Sequence, residues 1–297
     1  MQQTNGHKKV GIIGLGNMGN AMAQTLIREG FSVVGTDLGD AQKAAAKSIG
    51  VEVVESIAEL CLETKDIILS LPMSKHVVSV IKGDSGANKG IIDFAQPNTL
   101  IIDTSTSEPE ITKQLAKFLI ANGHQMLDCP VSGGPTGAAS GTMVIVAGGE
   151  VKALDRAAPW LNALSSKVVH LGESGNGHTA KLINNLLCAA HLVTTSEAIA
   201  LGEKAGLDPK ALIEGLNAGS GRSAISEVNF PRWILDGSFD SGFSMQLMRK
   251  DVRLAKQLIA DMELQLTMSE AAAQIWAQSE QHIDDDKDFN CIVNNHI

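Results

Sequence analysis

Short apolar runs alternate with helix-period segments through the first half of the chain, and then the alternation stops. "KVGIIGLG" enters a glycine turn, "NAMAQTLIREG" follows at helical spacing and closes on Gly30, and "FSVVGTD" is apolar again. "AQKAAAKSIG", "VEVV", "DIILSLP" and "TLIIDTS" continue the pattern, and "HQMLDCPVSGG", "TMVIVAGG" and "KVVHLG" carry it to about residue 171. Strands that are apolar on both sides and separated by helices predict a parallel-rich sheet with helices on both faces. From Gly175 onward only helical periodicity remains, over about 177–205, 209–218, 223–235, 245–262 and 266–281, broken by "NAGSGRS" and "LDGSFDSGF". A switch of this kind marks a second domain. The expected organisation is an α/β domain over 1–171 followed by an all-helical domain over 172–297.

Composition removes several classes of function. With 44% hydrophobic and 19% charged residues the chain has the make-up of a globular protein, and 297 residues suffice for two cores. No apolar run reaches the roughly 18–20 residues of a membrane span. "MQQTNGHKK" lacks the apolar centre of a secretory signal, so a cytoplasmic protein is expected. The net charge of −9, with no basic tract, disfavours nucleic acid and anionic membrane as partners. The cysteines Cys61, Cys129, Cys188 and Cys291 form no CxxC pair and read as reduced thiols. The histidines show no ligand spacing, so no metal site is expected. There is no tyrosine, which excludes a phenol as the proton donor of any reaction.

"VGIIGLGNMG" contains Gly14-x-Gly16-x-x-Gly19 between a strand and a helix. In that setting Gly14 permits the tight turn and Gly16 lets a pyrophosphate approach the backbone. Gly19 lets helix and strand pack closely, and Asn17 and Met18 open the helix whose positive end faces the phosphates. The second strand ends at Asp37. A carboxylate there accepts hydrogen bonds from the adenosine ribose and repels a 2′-phosphate. No arginine follows in "TDLGDAQ" and Asp40 adds negative charge, so NAD is expected in preference to NADP.

Three polar segments follow. "DTSTSEP" would lie at the carboxyl edge of the sheet, where open α/β folds bind ligands. For Thr106 a ligand role and a structural one are both open, whereas Ser107 is expected to cap a helix with Pro109 in its first turn. In "DCPVSGGPTGAASGTM", Ser132, Gly133 and Gly134 present consecutive N–H groups that suit a carboxylate, the alternative being a plain glycine turn. "GNGHTAKLINNLL" opens a helix whose one face carries Lys181 and Asn185, four residues apart, with Asn184 beside them and His178 one turn back. Beside a cationic nicotinamide a lysine is disposed to act as a proton shuttle, because the like charge disfavours its protonated form. Asn185 would hold the lysine or a substrate oxygen. "MRKDVRLA" places Lys250 and Asp251 at the start of a helix, Lys250 reaching toward the cofactor and Asp251 capping or pairing. Arg222, in "GSGRS", would contact a second substrate anion or a neighbouring carboxylate. "DDDKDF" reads as a solvated acidic turn.

The set "GIIGLGNMG", "DTSTSEP", "DCPVSGGPTGAASGT", "GNGHTAKLINN" and "KDVRLA", in this order over residues 10–256, resembles the β-hydroxyacid dehydrogenase family, the group of 3-hydroxyisobutyrate dehydrogenase and tartronate semialdehyde reductase. The resemblance implies a Rossmann-like domain, a long connecting helix and an all-helical domain that forms homodimers or homotetramers. It implies Lys181 as acid/base, Ser132, Gly133 and Gly134 on the substrate carboxylate, Asn185 orienting the substrate, Leu71, Pro72 and Thr106 lining the cofactor, and Lys250 closing over it. The implied substrates are small anionic hydroxy acids or semialdehydes: 3-hydroxyisobutyrate, tartronate semialdehyde/glycerate, threonate or sulfolactaldehyde. Imine reductases are related but usually lack the lysine. 6-Phosphogluconate dehydrogenases need a longer helical domain. An imine reductase-like enzyme and a non-catalytic NAD sensor are the alternatives.

Overall fold

A computed structural model describes residues 9–84 and 88–295. Within the first compact unit, which ends at Lys181, the strands are β1 (Lys9–Ile13), β2 (Ser32–Thr36), β3 (Glu52–Val53), β4 (Asp66–Leu69), β5 (Leu100–Asp103), β6 (Gln125–Asp128), β7 (Val131–Ser132), β8 (Met143–Gly149) and β9 (Ser165–His170). They run in the order β3-β2-β1-β4-β5-β6-β8-β7, with β9 on β8. All pairings from β3 to β6 are parallel, β8 is antiparallel to β6 and β7, and β9 is parallel to β8.

The alternation of apolar residues explains why both faces are covered. Val10, Ile12, Val33, Ile68, Leu100, Ile102 and Leu127 point to one side, into a core completed by Met22, Leu26, Trp160 and Leu161 from helices Asn17–Arg28 and Val151–Leu164. Their strand neighbours Ile13, Val34, Ile67, Leu69, Ile101 and Met126 point to the other, against Leu60, Val77, Ile81, Leu115 and Leu119 from helices Ile57–Glu63, Ser74–Lys82 and Pro109–Ala121. Full burial of each such side chain contributes roughly 1.5–3 kcal/mol, against about 0–1 kcal/mol for a surface ion pair. The two apolar layers therefore hold this unit, and pairs such as Lys9 with Glu52 and Glu63 add little.

Strand order reverses between β1 and β4, because β2 and β3 lie on one side of β1 while β4 to β6 lie on the other. Such a reversal leaves a crevice at the carboxyl ends of the strands. The register brings those ends level: Ile13 pairs with Thr36 and Leu69, and Asp103 with Leu69 and Asp128.

The second unit begins at Leu182, inside the helix Asn176–Lys204, past the change of pattern in the sequence. It continues with helices Pro209–Ala218, Met245–Asp261 and Thr267–Gln278 around Leu192, Ile199, Phe230, Met248, Val252 and Trp276. Asp208 and Ser244 cap two of them, accepting from the N–H groups of Ala211 and Leu247. Residues 225–234, expected as an ordinary helix, wind more widely as a π-helix, exemplified by the Leu235 N–H donating to the Phe230 carbonyl. Pro231 within the segment has no N–H to give to a tighter ladder.

The acidic segment near the C-terminus does more than turn in solvent. Asp285 Oδ1 pairs with Arg249 Nη1 at 2.7 Å, and Asp288 accepts from Ser241 and Asn290. Among the described residues no helix is long and apolar enough to cross a membrane, and no group of three or more His, Cys, Asp or Glu side chains is placed to hold a metal ion.

Candidate active site

At the end of β1 the chain turns at Gly14, whose φ is +96°. A Cβ there would lie 2.2 Å from the Ser70 carbonyl oxygen, and one at Gly19 would lie 1.9 Å from the Gly14 oxygen, so both positions exclude any side chain. Gly16 differs, since a Cβ there would meet nothing within 4 Å. Gly14 and Gly19 are thus fixed by packing, while Gly16 borders open space at the start of helix Asn17–Arg28. No side chain caps that helix, so its first N–H groups remain free to hold an anion. Asn17 is exposed beside Gly16, and Met18 is half-buried. These features fit the pyrophosphate of a dinucleotide.

Asp37 follows β2 and has two partners. Its Oδ2 accepts from the Leu15 N–H at 2.7 Å and its Oδ1 from the Gly39 N–H at 2.8 Å. The carboxylate therefore shapes the glycine loop. Asn20 supports the same loop by donating to the Leu15 carbonyl at 2.6 Å, a role that residue type alone does not reveal.

The loops after β4 and β5 are tied together. Thr104 donates its hydroxyl to the Leu69 carbonyl at 2.7 Å, and Ser105 Oγ accepts from the Leu71 N–H at 3.0 Å. This holds Leu71 at the carboxyl edge of the sheet, with Pro72 and Thr106 next to the tied residues in the chain. Ser107 is not the helix cap. Pro109 is the first residue of its helix, so Glu108 takes the cap position, and the Ser107 hydroxyl turns inward, 2% exposed.

Ser132 ends β7. Gly133 and Gly134 follow with φ of +121° and +61°, a conformation that side chains disfavour, and a short helix, Gly134–Ser140, begins directly after the turn. Lys181 Nζ donates to Ser132 Oγ at 3.1 Å. The helix that carries Lys181 is anchored at its start by Asp128, the last residue of β6, whose carboxylate accepts from the Gly175 and His178 N–H groups at 2.8 and 3.0 Å. A Cβ on Gly177 would sit 2.5 Å from the Asp128 carbonyl, so this close approach requires glycine.

In the second unit Asn185 lies one turn further along the same helix. Its Nδ2 donates to Asp251 Oδ2 at 2.6 Å and its Oδ1 accepts from Asn184 Nδ2 at 3.1 Å, which sets the direction of the amide. Lys250 Nζ pairs with Asp251 Oδ1 at 3.1 Å. Lys250 and Asp251 stand in the second turn of Met245–Asp261, not at its start, because Ser244 is the cap; Asp251 pairs and does not cap. Arg222 is exposed on the loop after helix Pro209–Ala218. Arg249, the residue before Lys250, is not singled out by the sequence; it is 5% exposed and holds Asp285, Ser279 and the Ile283 carbonyl.

Residues 9–172 match the model of the NAD binding domain of 6-phosphogluconate dehydrogenase. Residues 175–295 match the model described as the NAD-binding domain of NADP-dependent 3-hydroxyisobutyrate dehydrogenase. The chain belongs to the β-hydroxyacid dehydrogenase family. It is 34% identical to the 2-(hydroxymethyl)glutarate dehydrogenase of Eubacterium barkeri, covering 90% of this chain and 88% of that one. It is 35% identical to the mitochondrial 3-hydroxyisobutyrate dehydrogenase of Rattus norvegicus, over 95% of this chain and 85% of that one. Among solved structures, the 3-hydroxyisobutyrate dehydrogenase of Mycobacterium tuberculosis with L-serine superposes with a TM-score of 0.87 at 30% identity, covering 97% of this chain and 99% of that one. As a β-hydroxyacid dehydrogenase, the chain is an oxidoreductase acting on a CH–OH group.

Proposed function

We propose that this dehydrogenase is NAD-dependent and acts reversibly on a small 3-hydroxy acid, with Lys181 as the acid/base. The observation that carries this reading is the 3.1 Å contact between Lys181 Nζ and Ser132 Oγ, which brings a proton-transfer group to the edge of a glycine nest. The Gly133 and Gly134 N–H groups and the Ser132 hydroxyl hold the substrate carboxylate. With the carboxylate fixed there, the hydroxyl on the β carbon lies within reach of Lys181. In oxidation Nζ takes the hydroxyl proton, and in reduction it returns one to the same oxygen. Asn185, on the same helix face, orients the substrate through its amide. The nicotinamide, when bound, accepts the hydride from the carbinol carbon in oxidation and supplies it in reduction.

The cofactor is held by the turn Gly14–Gly19 with Asn17 and Met18, by Asp37, and by Leu71, Pro72 and Thr106, with Lys250 as a further contact. Support for NAD over NADP comes from Asp37, whose carboxylate opposes a 2′-phosphate, and from Leu38 beside it, which is fully exposed and carries no charge. The names of both curated relatives describe acids with a hydroxymethyl group next to a carboxylate, and that is the substrate class proposed here. The reading includes a cytoplasmic homodimer or homotetramer.

The test is to incubate the protein with NAD and with NADP and a panel of 3-hydroxyisobutyrate, 2-(hydroxymethyl)glutarate, glycerate and threonate, and to follow reduced nicotinamide by absorbance. Turnover of at least one acid is expected. Dinucleotide binding without turnover of any acid or of the matching aldehydes would favour a sensor instead.

A further inference from the structure

We propose that His178 is a positioning residue: its imidazole locks the Ser105 loop to the helix that carries Lys181, so that one buried ring sets the proton-transfer group against the cofactor edge of the sheet. The proposal rests on the reading of Lys181 as acid/base and extends it to a residue with no contact of its own to substrate.

His178 lies three residues before Lys181, one turn back on the same helix face, and its side chain is fully buried. Both ring nitrogens are engaged. Nε2 lies 3.0 Å from the Ser105 carbonyl oxygen, and a carbonyl only accepts, so Nε2 carries the hydrogen. Nδ1 lies 2.7 Å from Thr112 Oγ1, and in the neutral ring it accepts from that hydroxyl. The Thr112 hydroxyl also lies 3.1 Å from the Glu108 carbonyl, which already accepts from the Thr112 N–H; Nδ1, at 2.7 Å, is the nearer acceptor. Every donor of this cluster thus has an acceptor, which pins the ring in one orientation.

Ser105 is held from three directions. Its N–H donates to Asp103 Oδ1 at 3.0 Å, its Oγ accepts from the Leu71 N–H at 3.0 Å, and its carbonyl accepts from His178. The first two contacts tie the loop to the sheet and to the Leu71–Pro72 segment. Only the third ties it to the helix of Lys181. Asp103 also lies near, its Oδ2 4.0 Å from His178 Nε2, and burial pushes its carboxyl above the ordinary carboxylate range. The groups facing the ring are therefore Asp103, Ser105 and Thr112. Asp128 holds the Gly175 and His178 backbone N–H groups and so makes no use of the side chain at 178. The start of the helix survives a change at His178, while its registry with the loop does not.

The experiment compares His178→Gln and His178→Leu. Glutamine keeps one donor and one acceptor, whereas leucine fills space and offers neither. For His178→Leu, kcat is expected to fall about 10- to 100-fold with KM for the hydroxy acid changed far less, because a small misplacement of the lysine affects chemistry more than capture. For His178→Gln most of kcat should return. A second readout needs no turnover: amide hydrogen exchange in the full chain without added dinucleotide. In His178→Leu the Leu71 and Ser105 amides should exchange faster, while the Gly175 amide, held by Asp128, keeps its protection.

Equal loss in both variants, loss in KM alone, or unchanged exchange at Leu71 and Ser105 overturns the proposal. If His178→Leu does not fold, Thr112→Val removes only the hydroxyl at Nδ1; the same changes are expected at smaller size, and their absence counts against the proposal. A wild-type protein that turns over no hydroxy acid would remove the acid/base reading, and the exchange experiment would still decide whether His178 positions the loop.

Discussion

Lys181 and Ser132 meet at 3.1 Å although two helices, Gly134–Ser140 and Val151–Leu164, and the strands β8 and β9 lie between them in the chain. Ser132 is placed by the pairing of β7 with β8, Lys181 by the Asp128 anchor at the start of its helix, so the contact reports two independent supports. Because Lys181, in the reading proposed above, serves the substrate and not the dinucleotide, proton transfer and dinucleotide binding should separate on mutation. Lys181→Ala is expected to lower kcat by about 10²–10⁴-fold while dinucleotide affinity, measured by calorimetry, stays unchanged. Lost affinity together with substantial remaining turnover would sink the assignment.

Asp37 accepts from the Leu15 N–H at 2.7 Å and, in the reading proposed above, faces the cofactor ribose as well. Asp37→Ala alone should therefore weaken both dinucleotides, since the loop loses its tie. Adding Leu38→Arg, at a fully exposed position where packing costs nothing, should move the ratio of kcat/KM for NADP over NAD upward by at least about tenfold, the scale of one charge-assisted hydrogen bond. A wild-type protein that already prefers NADPH to NADH would show that Asp37 does not select the cofactor.

What the sequence makes legible follows from how few residue types a given geometry admits. A parallel sheet buried on both faces needs unbroken apolar strands, so "GII", "VV", "IIL" and "LII" announce it. Gly14 and Gly19 are legible because any Cβ would collide with backbone. The Ser-Gly-Gly segment is legible as a glycine turn, yet the helix Gly134–Ser140 after it is not, because Gly, Pro and Ser give a turn-like composition to seven helical residues. Ser107 and Glu108 compete for one cap position, and only the placement of Pro109 as the first helical residue decides between them. The second role of Asp37, the Asn20 contact and the His178 cluster depend on loops meeting across long stretches of chain, which no local pattern records. The wide winding of 225–234 is hidden because five-residue and four-residue hydrogen bonding share nearly the same apolar spacing over so short a segment.

His124 offers a test of stability apart from activity. It is 9% exposed, its Nδ1 accepts from the Thr99 N–H at 3.2 Å, and burial holds its pKa below the ordinary histidine value. The folded protein thus prefers the neutral ring, while the unfolded chain takes up a proton near pH 6.5. Below about pH 6.5 the unfolded state binds more protons, so stability falls as pH drops, until the folded-state pKa is passed. In His124→Asn, whose Oδ1 can accept from Thr99 in place of Nδ1, this part of the acid loss should vanish. Urea unfolding at several pH values between about 7 and 5 should give a shallower slope for the variant. Parallel slopes would mean that His124 titrates alike in both states.

Arg222 provides the sharpest test of substrate class, because the two curated relatives differ in one respect that an arginine can read. The name of the Eubacterium barkeri relative specifies a glutarate, which carries a second carboxylate, and the name of the rat relative specifies 3-hydroxyisobutyrate, which carries one. Arg222 is exposed on a glycine-rich loop of the second unit, with its guanidinium open to solution chemistry. If the preferred substrate has a distal anion that Arg222 grips bidentately, Arg222→Ala should lower kcat/KM for 2-(hydroxymethyl)glutarate by about 10- to 150-fold, the range of a hydrogen bond to a charged group. 3-Hydroxyisobutyrate, held only through the Ser132-Gly133-Gly134 nest, should lose almost nothing. Raising ionic strength should weaken the first effect and leave the second alone, since a solvent-accessible ion pair is screened. An equal fall for both acids would place Arg222 in support of the fold or of subunit contact, and no fall for either would place it on the solvent face. Either result removes the dianionic substrate while leaving the proposed proton transfer at Lys181 intact, because in that reading the nest and the lysine serve the near carboxylate and the hydroxyl without Arg222.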